Sequence, residues 1–420
     1  MRAGVRDQYA DVLTPEALDT IASLAQAFEE DRQQLMRARI DRRERRRRDR
    51  EPIAFLPAEA IIGRTTIRVS DARAGRFDGS EIPVDLERQW IQGTGPATRP
   101  REATAKSIRN VAYALLSGAD GWMFDGEDAQ GQVATMSLDN QRNLKLAFAR
   151  SDVFMNVAGQ VADEMNAWAQ TFFGRAIIED WRAQLDFTTR IFRPRGLHLD
   201  DRHIGLADGK PLSASIVDLS LYLANHAVLR AEGRSLVLYL PKIQTAEEAA
   251  LWSDILDRLE GHIGLAPGTI KAYVLIEQIE ACFQLLEIRA ALGAHFVGFN
   301  TGRWDYINSV ADAMAWDTTF INPNIDAITM TYGYMRHYED RVRRAVNTPD
   351  AAGQYALWQG GMEPNIPVGS AEGVAAGMKR AVAGAEREQR EGARRPQNLP
   401  SSASPPGTSV SVARARRTQA

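Results

Sequence analysis

The sequence predicts an α/β fold, a (β/α)₈ barrel, and three observations carry the prediction. Short apolar runs of strand length recur along the chain: DGWMF, TRIF, SLVLYL, AYVLIE, HFVGFN, AITM and YALW. Segments with helical apolar spacing lie between them, such as 246–259 and 284–292. Strand and helix in repeated alternation argue for a parallel sheet with crossover helices. The third observation is the residues just past the runs: FDGED, RPRG, PK, EQIE, NTGRWD and QGGMEP. Polar, charged and glycine residues collected at strand C-terminal ends match the face where this barrel places its active site. A doubly wound sheet would gather its ligand groups at one switch point instead. No GxGxxG or GxxxxGK[ST] string occurs, so a dinucleotide fold and a P-loop lack support.

Bulk properties agree with a globular protein. The chain has 420 residues, 44% of them hydrophobic and 25% charged, enough for one large barrel or two domains. A formal net charge of −3 gives no reason to expect nucleic acid or an anionic membrane as partner. Cys282 is the only cysteine, which excludes an internal disulfide and a zinc-thiolate cluster and fits a reducing compartment, the cytoplasm by default. No apolar stretch approaches the ~20 residues needed to span a bilayer, and the N-terminus lacks the apolar core of a secretory signal.

In chain order, Thr14-Pro15-Glu16-Ala17 reads as an N-cap with proline in the first helical turn. Leu18, Ile21, Leu24, Ala25 and Phe28 come next at helical spacing, so an amphipathic helix opens the chain. It runs into a basic stretch, Arg42 to Arg50, broken by Glu44 and Asp49. No aromatic residue interleaves these arginines, which favours a solvated helix face over a nucleic-acid patch. A Gly- and Pro-punctuated stretch, 79–100, precedes the alternating region. The last segment, 392–420, is rich in Pro, Ser, Ala and Arg and is expected to be disordered.

Glu277 ends the run YVLIE and Asp305 ends FVGFNTGRWD, which puts two carboxylates at the mouths of neighbouring strands. Such a pair suits one Mg²⁺, which takes oxygen ligands and keeps waters that a small oxo-acid can replace. Either acid alone would be read as an ion pair or a helix cap. Gly302 and the acidic cluster Asp125-Gly126-Glu127-Asp128 tip the balance to a site. Arg193 and Arg195 end another strand. Either can hold a carboxylate or steady a developing enolate oxygen, and the residues alone do not choose between them. His198 and His203 have no metal-site spacing and read as packing or hydrogen-bonding groups. Lys242, after LVLYL, reads as an ion-pair partner rather than a Schiff-base lysine, since nothing local would depress its pKa.

These residues carry a family resemblance. Glu81-Ile-Pro-Val-Asp-Leu, Thr94-Gly-Pro, Arg193-Pro-Arg-Gly-Leu-His-Leu, Tyr239-Leu-Pro-Lys-Ile-Gln, Gly268-Thr-Ile-Lys-Ala, Leu275-Ile-Glu, Gly302-Arg-Trp-Asp-Tyr-Ile and Gly360-Gly-Met-Glu-Pro-Asn-Ile-Pro resemble the A-type malate synthases of the glyoxylate cycle, in the family's order. The spacing of Glu277 and Asp305 agrees as well. The resemblance implies an N-terminal helical clasp and linker over 1–100, a barrel over 101–391 and the tail beyond it. It implies Mg²⁺ held by Glu277 and Asp305, Arg193 as the catalytic arginine, and Gly302, Arg303, Trp304, Glu127 and Asp128 binding substrate or supporting the site. The implied reaction converts acetyl-CoA, glyoxylate and water to malate and CoA: Mg²⁺ polarises the aldehyde, a base takes a methyl proton, the enolate steadied by Arg193 attacks the aldehyde, and hydrolysis of the malyl-CoA thioester releases malate and CoA.

The family's acidic motif reads Asp-Phe-Glu-Asp-Ser where this chain has Asp125-Gly-Glu-Asp-Ala. Its catalytic aspartate lies in a C-terminal helical domain that the chain is expected to lack. The expectation is a reading-frame break near Gly392, with proton abstraction impaired and binding on the barrel spared; downstream DNA without a helical-domain coding sequence in another frame would count against it. Two alternatives remain: a Mg²⁺-dependent malyl-CoA-type lyase of the citrate-lyase-β-like family, which lacks the clasp, and a catalytically inactive barrel.

Overall fold

The computed structural model describes residues 1–86, 89–128, 135–226, 235–361, 370–390, 399–400 and 411–414. Eleven strands occur among them. In chain order they are β1 (Gln89–Gln92), β2 (Gly121–Asp125), β3 (Thr189–Arg193), β4 (Asp200–Gly205), β5 (Pro211–Ser213), β6 (Leu236–Leu240), β7 (Ile270–Ile276), β8 (Phe296–Thr301), β9 (Leu357–Gln359), β10 (Leu399–Pro400) and β11 (Ser411–Arg414). Seven of them run parallel in the order β1-β2-β3-β6-β7-β8-β9. β4 and β5 form a separate antiparallel pair.

The sheet is curled. Trp90 of β1 packs edge-on against Tyr273 of β7, with ring centroids 4.3 Å apart, although three strands separate them in the sheet. Only a sheet that wraps back on itself brings those rings together. The interior of the curl is filled by Trp90, Met123, Ile191, Val237, Tyr239, Tyr273, Leu275, Val297 and Leu357, at least one from every parallel strand. The alternate residues, including Trp122, Phe192, Leu238, Val274, Phe299 and Trp358, point outward into a second core shared with the helices. Burial on both faces explains why the strands read as continuous apolar runs rather than alternating ones.

The N-terminal helix spans Pro15–Asp49, with Thr14 Oγ1 accepting from the Ala17 N–H at 3.2 Å. Its apolar stripe, Ala17, Ile21, Leu24, Ala25 and Phe28, is buried, and the helix lies against helices Ala214–Asn225 and Ala246–Ile263. The basic run is its C-terminal end. There Arg43 and Arg47 pair with Asp312, and Arg46 with Glu280, so these arginines bind the helix to the barrel.

Three expectations change. Residues 327–330, read as a strand, begin on the last residue of a 3₁₀ turn at Ile325–Ala327 and pair with no strand among the described residues. The Asn-Pro-Asn sequence just before them sets a turn, and Ile328 and Met330 are buried without joining the sheet. Conversely, the parallel sheet begins at β1, ahead of the boundary expected at residue 101. β1 is four residues long with glutamine at both ends, too short and polar for its composition to announce it. Finally, most of the tail expected to be disordered lies outside the described residues, but β10 and β11 within it pair antiparallel, with β11 on the β1 edge. Among the described residues β1 and β9 do not pair.

Candidate metal centre and substrate cavity

Parallel strands point their C-terminal ends the same way, so residues at or just beyond those ends share one face. β2 ends at Asp125, β3 at Arg193, and Lys242, Glu277 and Gly302 lie just past β6, β7 and β8. Asp305 sits in the first turn of helix Arg303–Ala313, where the helix dipole favours a negative charge. A cavity of about 320 Å³ opens among these ends, lined by Asp125, Asp128, Arg193, Glu277, Gly302, Arg303, Trp304 and Asp305, with Gln92, Tyr239 and Asn300 on its walls. All the residues expected at the site meet here except Glu127, which lines an adjoining cavity and reaches Arg193 from behind.

Arg193 is the electrostatic hub. Its Nη1 donates to Asp125 Oδ2 at 3.2 Å, and its Nη2 to Glu127 Oε2 at 2.5 Å and Asp128 Oδ2 at 2.7 Å; Glu277 Oε1 lies 3.7 Å away. Burial opposes its charge, yet Asp125, Glu127, Glu277 and Asp128 together raise its pKa well above the usual value. It stays a cation. Its Nε is buried with no hydrogen-bond partner among the described residues.

The acids differ in environment. Burial pushes Glu127 up to about 7, against the pull of Arg193. Burial also pushes the Glu277 carboxyl up, with Arg193 and Lys242 pulling it back. Asp128, less deeply buried, is held below its usual value by Arg193 and Lys242 despite desolvation. Asp125 is structural to the loop: its Oδ1 accepts the N–H groups of Glu127 and Asp128 at 2.9 and 3.0 Å. Gly126 lets the loop cross the end of β3, since a Cβ there would lie 2.6 Å from the Arg193 carbonyl oxygen.

One oxygen each from Asp128, Glu277 and Asp305 fall within 4.8 Å of one another. Three carboxylate oxygens at that spacing suit a hard divalent cation, and no thiolate or imidazole is among them to favour zinc. Asp128 thus joins the expected pair, and the acidic cluster after β2 was the signal for it. Lys242 is an ion-pair partner, as expected from sequence. Its Nζ lies 2.6 Å from Asp305, 3.0 Å from Asp128 and 3.1 Å from Glu277. That it reaches all three acids at once was not legible.

The two neighbouring arginines have different surroundings, and only Arg193 lines this cavity. Arg195 turns away from the cavity and forks onto Asp218 with Nε and Nη2 at 2.9 and 2.7 Å, its Nη2 also meeting Asp201 at 2.7 Å. Tyr239 and Asn300, not singled out as site residues in the sequence, brace the wall through a 2.6 Å hydrogen bond; both looked like ordinary strand residues.

Known proteins with similar sequences identify the family. A family model described as the malate synthase TIM barrel domain matches residues 189–397, and one for the malate synthase N-terminal domain matches residues 2–58. A malate synthase of Myxococcus xanthus is 33% identical over 361 residues, covering 86% of this chain and 58% of that one. Malate synthase A of Escherichia coli is 31% identical over 362 residues, covering 86% and 60%. A bifunctional glyoxylate cycle protein of Caenorhabditis elegans is 35% identical over 293 residues, covering 70% of this chain and 27% of its own length. The chain therefore spans under two thirds of the length of these relatives. With both domain models in order along the chain and relatives above 30% identity over most of it, the chain belongs to the malate synthase family.

Proposed function

We propose that the chain carries the metal-bearing barrel of a Mg²⁺-dependent enzyme that condenses acetyl-CoA with glyoxylate to malate and CoA. The observation that carries this is the convergence of Asp128, Glu277 and Asp305 beside the buried Arg193 at the mouth of the curled sheet. Mg²⁺ held by Glu277 and Asp305 would polarise the aldehyde oxygen of glyoxylate. Arg193, fixed by Asp125 and Glu127, presents a permanent positive charge to the oxygen that becomes negative as the acetyl methyl group loses its proton. Gly302, Arg303 and Trp304 line the same cavity and would orient the small oxo-acid, while Glu127 steadies the guanidinium. The cavity volume suits a two-carbon acid rather than a whole thioester, so the CoA portion would extend outward. The match to the family's N-terminal domain model over residues 2–58 counts against the lyase alternative, which is expected to lack that domain. No described helix is long and apolar enough to cross a membrane, and the single buried cysteine is consistent with the cytoplasm as the place of action.

The test is thiol release from acetyl-CoA with glyoxylate and Mg²⁺, beside Glu277→Gln. The expected result is Mg²⁺-dependent release that the variant lowers by at least roughly a hundredfold, about 3 kcal/mol of barrel-bound transition-state stabilisation. Unchanged release in the variant would refute the metal assignment. Stabilisation by Mg²⁺ and glyoxylate without thiol release would select the inactive-barrel alternative.

A further inference from the structure

Lys242 lies in the turn after β6 with φ +55°, a left-handed conformation that costs a side-chain-bearing residue energy and persists only where the surroundings impose it. The surroundings are specific. Arg39, from the N-terminal helix, donates through Nη2 to the Lys242 carbonyl oxygen at 2.7 Å. The same guanidinium forks onto the fully buried Glu248, at 2.7 and 2.6 Å, and Glu248 Oε2 accepts the Gln244 N–H at 2.7 Å. The Lys242 N–H donates to Glu277 Oε1 at 2.8 Å. The turn is thus gripped on both sides of Lys242, and only the flexible stem of the side chain is left to move.

That stem places Nζ among the same three carboxylates that suit a divalent ion, Asp305, Asp128 and Glu277. An ion with metal–oxygen bonds of about 2.0–2.1 Å would sit on those oxygens. Arg193 already shares Asp128 Oδ2 with Lys242, so a divalent ion seated on the same oxygens would bring a further positive charge within a few ångströms and repel the mobile ammonium. Resting on the metal reading above, we propose that Lys242 is an internal counter-cation that exchanges with the divalent ion. Its ammonium gathers the three carboxylates until the ion arrives, then swings outward, while Arg39 and Glu248 keep the backbone turn in place.

Two measurements test this, neither of them turnover. In the first, Mn²⁺ binding is tracked by electron paramagnetic resonance for the wild type, Lys242→Met and Asp305→Asn. Exchange predicts that Lys242→Met binds Mn²⁺ on the order of tenfold more tightly, since the competing charge is gone, and melts at a lower temperature without the ion, since the acids repel unopposed. Equal or weaker binding by Lys242→Met overturns exchange while the metal site stands. A wild type that binds no Mn²⁺, or an Asp305→Asn variant that binds as well as the wild type, overturns the metal reading itself. In the second, which needs no variant, the wild type is acetylated with an N-hydroxysuccinimide ester with and without Mg²⁺, and Lys242 is quantified by peptide mass spectrometry. Exchange predicts severalfold faster labelling of Lys242 with Mg²⁺ present; protection or no change refutes it.

Discussion

Arg195→Met separates the two neighbouring arginines by what each one holds together. Arg195 is buried, and its side chain makes a two-pronged contact with Asp218 and a third hydrogen bond to Asp201, both of them also buried. Burial opposes the Arg195 charge, but Asp218 and Asp201 outweigh it and raise the pKa above the usual value, so the trio is a cation between two anions. Methionine fills the stem and removes the charge, leaving two uncompensated carboxylates in the interior. Removing one partner of a buried pair costs about 3–5 kcal/mol. A chain of this length unfolds with an entropy of about 0.9 kcal/mol/K, so the melting temperature should fall by about 3–6 °C. The assay is thermal melting by circular dichroism at neutral pH, for Arg195→Met alone and combined with Asp201→Asn and Asp218→Asn. The combined variant should recover much of the loss, because the stranded charges go with their partner. A single variant that melts within about a degree of the wild type, or a combined variant that melts lower still, would refute the reasoning.

Two further perturbations probe the packing and the charge of the core. Gly95 has φ +110°, and a Cβ there would lie 2.5 Å from Trp122 Cζ2 and 2.7 Å from Phe124 Cδ2, so Gly95→Ala should cost about 2–5 kcal/mol from strain and overpacking. Gly174, at φ +67° with open space around it, is the control; a melt showing Gly95→Ala no worse than Gly174→Ala would sink the steric account. Burial lowers the pKa of His226 to about 3, and the charges of Arg190 and Lys145 act in the same direction. The unfolded chain then binds a proton that the folded one refuses between pH ~6.5 and ~3, so stability contributed by this group falls as pH drops through that window, by up to about 1.4 kcal/mol per unit. His226→Leu should flatten the acid limb of stability measured by urea unfolding, and an identical limb in both proteins would contradict it.

The site was more legible than its support. Glu277 directly follows one strand and Asp305 lies four residues past the next, and in a parallel sheet a strand's end is also an address, so sequence position pointed to one face for both. Arg193 and Arg195 shared that address, and nothing local could separate them. The residues that do, Asp218 and Asp201, lie on a helix and a hairpin strand well away in sequence from Arg193's partners. β1 escaped notice because its role depends on Trp90 meeting Tyr273, far along the chain, rather than on its composition. Residues 327–330 show the reverse: an apolar run whose burial is real but whose backbone is turned by the preceding Asn-Pro-Asn.

The contact between Trp90 and Tyr273 bears on when the proposed site could first bind a divalent ion. Each acidic oxygen belongs to a separate stretch of chain, and only the wrapping of the sheet, completed through partners so distant in sequence, draws the three within reach of a single cation. Closing such long loops comes late in folding. Ion uptake would then report the arrival of the finished architecture, and no excised fragment holding one or two of the acids should mimic it.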